Sequence, residues 1–192
     1  MAVIVAGLFV IEIVDAATRY RLDRHGIVPR SVDGLTGILW APLLHTDFAH
    51  LIANVIPGAV LGFLLLMSGR FLVVTAIVWV ISGLGVWLTA PPQSVTVGAS
   101  GVIFGWLTYL LVRGIFNRDV WQVLIGLVIL VVYGGVLWGV LPSAGSVSWQ
   151  GHLFGAAGGV LAAWTLAGND RRGRRPRDGR PQNEGGPRSL ST

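Results

Sequence analysis

A serine set between glycines, Gly98-Ala99-Ser100-Gly101, and a histidine ahead of two spaced glycines, His152-x-x-Gly155-x-x-x-Gly159, each open a strongly apolar stretch. A serine hydroxyl becomes a useful nucleophile only when an adjacent base takes its proton. Histidine is the commonest such base, and an imidazole inside a membrane is costly enough to suggest function. A nucleophile and a base on two apolar helices point to hydrolysis of peptide bonds within a bilayer. The apolar stretches from Phe48 onward hold no carboxylate in their interiors, so a Ser100–His152 dyad without a third acid is expected. Neither a metal nor a cofactor is called for.

His50 and Asn54 are four residues apart and share a helix face. Both carry donors, which a tetrahedral intermediate needs at its developing oxyanion, and the Ser100 backbone N–H is a third. A plain inter-helix hydrogen-bonded pair is the other reading of His50 and Asn54. Phe104 lies one turn past Ser100, where it either packs on the His152 ring or faces lipid and core. His45 is expected to make a structural hydrogen bond. Glu12 is expected near an interface or paired with a loop arginine.

These residues must be carried by elements that bring them to one depth. The chain has 192 residues, 53% hydrophobic and 12% charged, with a mean hydropathy of +0.70. Soluble domains carry about 25% charged residues, and a helical span needs about 20 mostly apolar ones. An all-α, polytopic bundle of six spans is predicted over 1–167: Ala2 to Ala17, Phe48 to Met67, Phe71 to Ala90, Ser100 to Val112, Val120 to Leu141 and Trp149 to Leu166. The apolar run Ile38 to Leu44 is too short to cross and reads as interfacial or re-entrant. All 14 basic residues are arginines, and seven lie between Arg171 and Arg188. Residues 168–192 therefore read as a disordered tail. Its arginines explain the pI of 11.0 without nucleic acid and mark a cytoplasmic end of a multi-pass plasma-membrane protein.

With both termini and the turns at Arg70 and Arg113/Arg118 inside, the second, fourth and sixth spans all run inward. His50, Asn54, Ser100 and His152 then share a level near the extracytoplasmic face. The loop from Thr18 to Gly37, with four arginines, opposes this orientation. The fourth span, at 13 residues, would be about 20 Å long against a hydrocarbon core of about 30 Å, which would sink Ser100 below the outer surface. Gly101 and Gly105, and Gly151, Gly155 and Gly159, form two faces of small residues spaced for close helix contact in lipid.

With these motifs in order, and with His45-Thr-Asp-Phe-Ala-His50-Leu-Ile-Ala-Asn54 opening the second span, the chain resembles the rhomboid family of intramembrane serine proteases. The resemblance covers the membrane portion from the first span to about Leu166. It implies a six-helix core, Ser100 as nucleophile, His152 as general base, and an oxyanion hole from His50, Asn54 and the Ser100 amide. It implies that Gly98 shapes the loop before the serine. Implied substrates are transmembrane proteins cut near their extracytoplasmic ends, with the fifth span and the loop Pro142 to Ser148 gating access. Two departures stand out: the first loop has no Trp-Arg pair, and Phe104 stands where tyrosine is frequent.

Other chemistries fare worse. The pair of intramembrane aspartates of an aspartyl protease is absent, as is the His-Glu-x-x-His of a zinc protease. A small transporter would show repeated halves with broken helices, and no clear repeat is visible. A catalytically inactive relative that binds or escorts membrane proteins is the remaining alternative.

Overall fold

The computed structural model describes residues 1–142 and 147–174, with side chains as far as Ala167. Among the described residues seven α-helices follow one another: α1 (Ala2–Ala17), a short α2 (Gly37–Trp40), α3 (Phe48–Met67), α4 (Phe71–Thr89), α5 (Ser100–Asn117), α6 (Val120–Tyr133) and α7 (Trp149–Arg174). Among the described residues three apolar helical stretches, Phe48–Met67, Phe71–Thr89 and Val120–Val140, are long and apolar enough to cross a membrane. Their outward side chains are large and apolar, with Leu72 at 82% and Val131 at 87% exposure.

Local chemistry sets the helix ends. Asp47 is extended, and its carboxylate accepts the His50 backbone N–H at 2.7 Å, capping α3. Asp119 does the same for α6 through the Gln122 N–H at 3.0 Å. Gly69 turns the chain between α3 and α4 at a φ of +71°, a conformation glycine adopts without strain.

Helix α5 packs against α3, α4, α6 and α7. Every residue of α5 from Gly101 to Leu110 is buried, as expected of a helix apolar on all sides at a bundle centre. Its contact with α7 is backbone against backbone. A Cβ on Gly155 would run into the Gly101 carbonyl oxygen, and one on Gly159 into that of Gly105. Conversely, a Cβ on Gly105 would sit 2.8 Å from the Gly155 carbonyl oxygen. Thr108 Oγ1 bridges the helices by donating to the Ala156 carbonyl at 2.8 Å. On the other side of α7, the Phe154 ring fills the space over Gly85 of α4.

The loop after α1 is a folded element. Ile27 and Thr96 exchange backbone hydrogen bonds at 2.9 and 3.0 Å, tying it to the segment before Ser100. Arg30 reaches the C-terminal end of α4, donating to the carbonyls of Leu88 and Ala90 at 2.9 Å each. Those carbonyls have no partner within the helix, and the negative end of the helix dipole favours the guanidinium. The apolar run Ile38 to Leu44 forms α2 and a 3-10 turn, Ala41–Leu43, packed on α4, where Trp79 Nε1 donates to the Ile38 carbonyl at 2.7 Å.

Several sequence expectations need correcting. The fourth apolar segment does not stop at Val112, because α5 runs to Asn117 and ends where Arg118 turns left-handed (φ 54°, ψ 49°). Arg113 stays helical, its Nε donating to Gln122 Oε1 at 3.1 Å and its guanidinium over the Tyr109 ring. At 18 residues, α5 is about 27 Å long, so helix shortness no longer argues that Ser100 is submerged. The fifth segment is α-helical only to Tyr133 and tightens into a 3-10 helix over Gly134–Val140. The last helix continues past Gly168 to Arg174, so the tail begins later than expected. Its remainder, and residues 143–146 of the loop expected to gate access, lie outside the described residues. Glu12 is buried with Oε1 unpartnered, and the charged groups acting on it are carboxylates, Asp23, Asp15 and Asp47. Beside it, Asp15 accepts the Leu22 backbone N–H at 2.8 Å. Burial, with Asp15 adjacent, pushes the Asp23 carboxyl up to about 6.

Candidate active site

Ser100 is the first residue of α5, whose N-cap is Ala99, a residue with no side chain able to cap the helix. The segment before it is held in place by backbone. The Gly98 N–H donates to the Ala41 carbonyl at 2.8 Å, and Gly98 has a φ of +115°. A Cβ at Gly98 would also lie 2.8 Å from Nε2 and Cε1 of His50. Glycine is therefore required twice over, for conformation and for the approach of the His50 ring.

His50 follows from the α3 cap. Its backbone is bound to Asp47, and its Nδ1 lies 3.2 Å from Thr46 Oγ1. The same backbone bond holds the Asp47 carboxyl below its ordinary value. His50 and Ser100 line one cavity of about 380 Å³, together with Thr46, Asp47, Val97 and Ser148. Asn54 is not brought to this cavity. Its Nδ2 donates back to the His50 carbonyl at 2.8 Å and its Oδ1 is buried without a partner. Asn54 instead edges a separate, almost wholly apolar cavity of about 250 Å³ among α1, α3, α4 and α5. His45 is fully buried, and neither ring nitrogen has a partner, so the expected structural hydrogen bond is absent. Its ring meets the His50 ring edge-on at 5.2 Å. Burial, with His50 nearby, pushes the His45 imidazole down to about 4.

His152 enters from the first turn of α7, where Ser148 Oγ accepts the Gly151 N–H at 3.2 Å. Its ring stacks on Phe104 with centroids 4.0 Å apart and planes within 7°. Phe104 lies one turn along α5 from Ser100, and Gly101 abuts Gly151 and Gly155. The turns carrying the serine and the histidine are thus in direct contact. Nδ1 of His152 is 2.9 Å from the Gly139 carbonyl oxygen. Nε2 is buried and makes no hydrogen bond, to Ser100 or to any other described group.

Three supporting groups were missed from the sequence. Gly139 supplies the carbonyl facing His152. Ser82 of α4 donates to the Gly151 carbonyl at 3.0 Å. Ser148 starts α7, and a serine just ahead of an apolar helix is a readable cap signal. Ser82 gave a weaker sign, as one of several small residues in α4.

The family model described as Rhomboid domain matches residues 33–169. A protein of Mycobacterium tuberculosis, named only as uncharacterised, is 49% identical over 180 residues, the match covering 88% of this chain and 75% of that one. A Mycobacterium leprae protein named in the same way is 47% identical over 179 residues, covering 88% and 71%. A Bacillus subtilis protein named "Putative rhomboid protease YdcA" is 33% identical over 130 residues, covering 64% of this chain and 62% of that one. The resemblance drawn from the motifs is thereby upheld: this is an integral membrane protein, set in a lipid bilayer, and it belongs to the rhomboid family.

Proposed function

We propose that the chain is an intramembrane serine endopeptidase that cuts transmembrane proteins with Ser100 as nucleophile and His152 as general base. In this reading His152 Nε2 takes the Ser100 proton as Oγ attacks the substrate carbonyl. The His50 ring and the Ser100 amide hold the oxyanion, and Asn54 joins them once its amide leaves the His50 carbonyl. His152 then protonates the departing amine, and water clears the acyl-enzyme. The observation that supports the reading is the stack of the His152 ring on Phe104, which lies one helical turn along α5 from Ser100, beside the interlocked glycines.

The same proposal holds six spans over 1–167, cytoplasmic termini with an Arg-rich tail, and a site open to the extracytoplasmic side of the plasma membrane. The arginine-rich first loop weighs less against that orientation, because Arg30 is committed to the end of α4. An inactive relative is the second reading, favoured by the unpartnered Nε2 of His152. Catalytic hydrogen bonds are often long before substrate arrives and tighten in the complex, so the protease reading stands ahead of it. The test is purified protein in vesicles with a transmembrane reporter and a fluorophosphonate probe. Wild type should cleave and label, while Ser100→Ala and His152→Ala, both folded, should do neither. A wild type that neither cleaves nor labels refutes the reading, as does a Ser100→Ala protein that still cleaves.

A further inference from the structure

The His152 ring touches a backbone carbonyl whose availability has a cause in the sequence. Gly139 lies near the end of the 3-10 helix Gly134–Val140. Such a helix bonds each carbonyl to the N–H three residues on, and Leu141 N–H does bond the Trp138 carbonyl at 3.1 Å. Pro142 then ends that register: Leu141 before it is extended (φ −81°, ψ 145°), as a residue preceding proline prefers, and Pro142 itself has no N–H to offer the Gly139 carbonyl. The carbonyl is left over and takes His152 Nδ1 at 2.9 Å instead. A carbonyl oxygen can only accept, so Nδ1 must carry the proton, and in the neutral ring Nε2 then holds the lone pair. Gly139 is also needed for the approach, since a Cβ there would lie 3.0 Å from both His152 Nδ1 and Phe104 Cζ.

We propose that Pro142 and Gly139 are positioning residues that set the tautomer of His152, leaving Nε2 unprotonated toward the serine side. This rests on the dyad reading and replaces the acid that other serine hydrolases use to orient the base. It also accounts for the buried, unpartnered Nε2, which is the atom a general base must keep free.

The full chain, labelled with 15N-histidine and held in bicelles at about pH 8.5, two units above an ordinary imidazole pKa, tests it. The His152 resonances are identified by their loss in His152→Gln. Wild type should carry its proton on Nδ1. Pro142→Ala returns a competing N–H and Gly139→Ala displaces the ring. Each should raise the Nε2-protonated form and slow fluorophosphonate labelling of Ser100 by about tenfold or more, within the range general-base catalysis supplies. A wild-type ring protonated on Nε2 overturns the proposal, and this result does not depend on either variant folding. Folded variants with unchanged tautomer, or with a switched tautomer and unchanged labelling, overturn it as well. Failure of the dyad reading looks different: the tautomer is as expected, but wild type never labels or Ser100→Ala still does.

Discussion

Gly155→Ala should disable the protein by more than it destabilises it. The added Cβ would meet the Gly101 carbonyl oxygen, and would lie 2.8 Å from the carbonyl carbon and 3.2 Å from Cα. Carbon atoms in contact rest at about 3.5–4.0 Å, so α5 and α7 must part by about 1 Å at this crossing. Overpacking of this kind costs about 1–3 kcal/mol, and alanine returns up to about 1 kcal/mol of helix propensity, leaving a net loss of about 0–2 kcal/mol. A 1 Å misplacement between reacting groups costs about 100-fold in rate, and Gly101 adjoins the serine while Gly155 lies three residues from the histidine. Reporter cleavage in vesicles and thermal unfolding in detergent, measured together, should show a rate near 1% of wild type in a protein that remains folded. Gly7→Ala, with nothing within 4 Å of its Cβ position, is the comparison and should leave both unchanged. Cleavage by Gly155→Ala within twofold of wild type would refute the reasoning, as would a loss that only tracks the unfolded fraction.

Further perturbations separate the supporting groups. Gly98→Ala should lose labelling, because it is strained at a φ of +115° and its Cβ would crowd the His50 ring at 2.8 Å; normal labelling would remove His50 from the site. Phe104→Leu should slow labelling about 2–10-fold, the kinetic equivalent of a stacking contact of about 0.5–1.5 kcal/mol, and Phe104→Tyr should restore it. His45, at about 4 when folded against about 6.5 when unfolded, binds more protons in the unfolded chain between those values. Its contribution is therefore complete above about pH 6.5 and falls by up to about 1.4 kcal/mol per unit as pH drops toward 4. Denaturant titrations of wild type and His45→Phe across that range should diverge, and parallel curves would contradict the burial argument.

Where the sequence carried a chemical stop or start, it could be read to the residue. The bounds of α1 and α3 are those expected, and at α3 both ends have a chemical cause, since Asp47 caps one and Ser68-Gly69-Arg70 closes the other. Arg113 misled, since arginine is a good helix former and finds Gln122 and Tyr109 without leaving the helix. The true stop, a left-handed Arg118, has no signature, because such positions ordinarily announce themselves with glycine or asparagine. The glycine faces were legible as spacing, and the interlock of Gly101 and Gly105 with Gly155 and Gly159 is their physical content. Asn54 and His45 were not legible. Helical spacing puts Asn54 on the face of His50, yet says nothing of an amide that turns back onto its own helix carbonyl. Nor does composition reveal a histidine buried with both nitrogens unpartnered.

In the proposed dyad, the lack of a third acid follows from the cost of burying charge. Between Ile38 and Ala167 the only carboxylates are Asp47 and Asp119, and each is committed to capping a helix. A further carboxylate beside His152 would need to be desolvated within the bundle, at a cost of several kcal/mol unless fully paired. A ring stacked at 4.0 Å and a carbonyl at 2.9 Å constrain the imidazole in orientation and, in the proposed tautomer, in proton position, while adding no charge. Both groups come from helices that must pack there in any case, Phe104 from α5 and Gly139 from the end of the fifth apolar segment. In a bilayer, neutral orientation of the base is the less costly solution, and it ties the proposed chemistry to helix packing rather than to a buried ion.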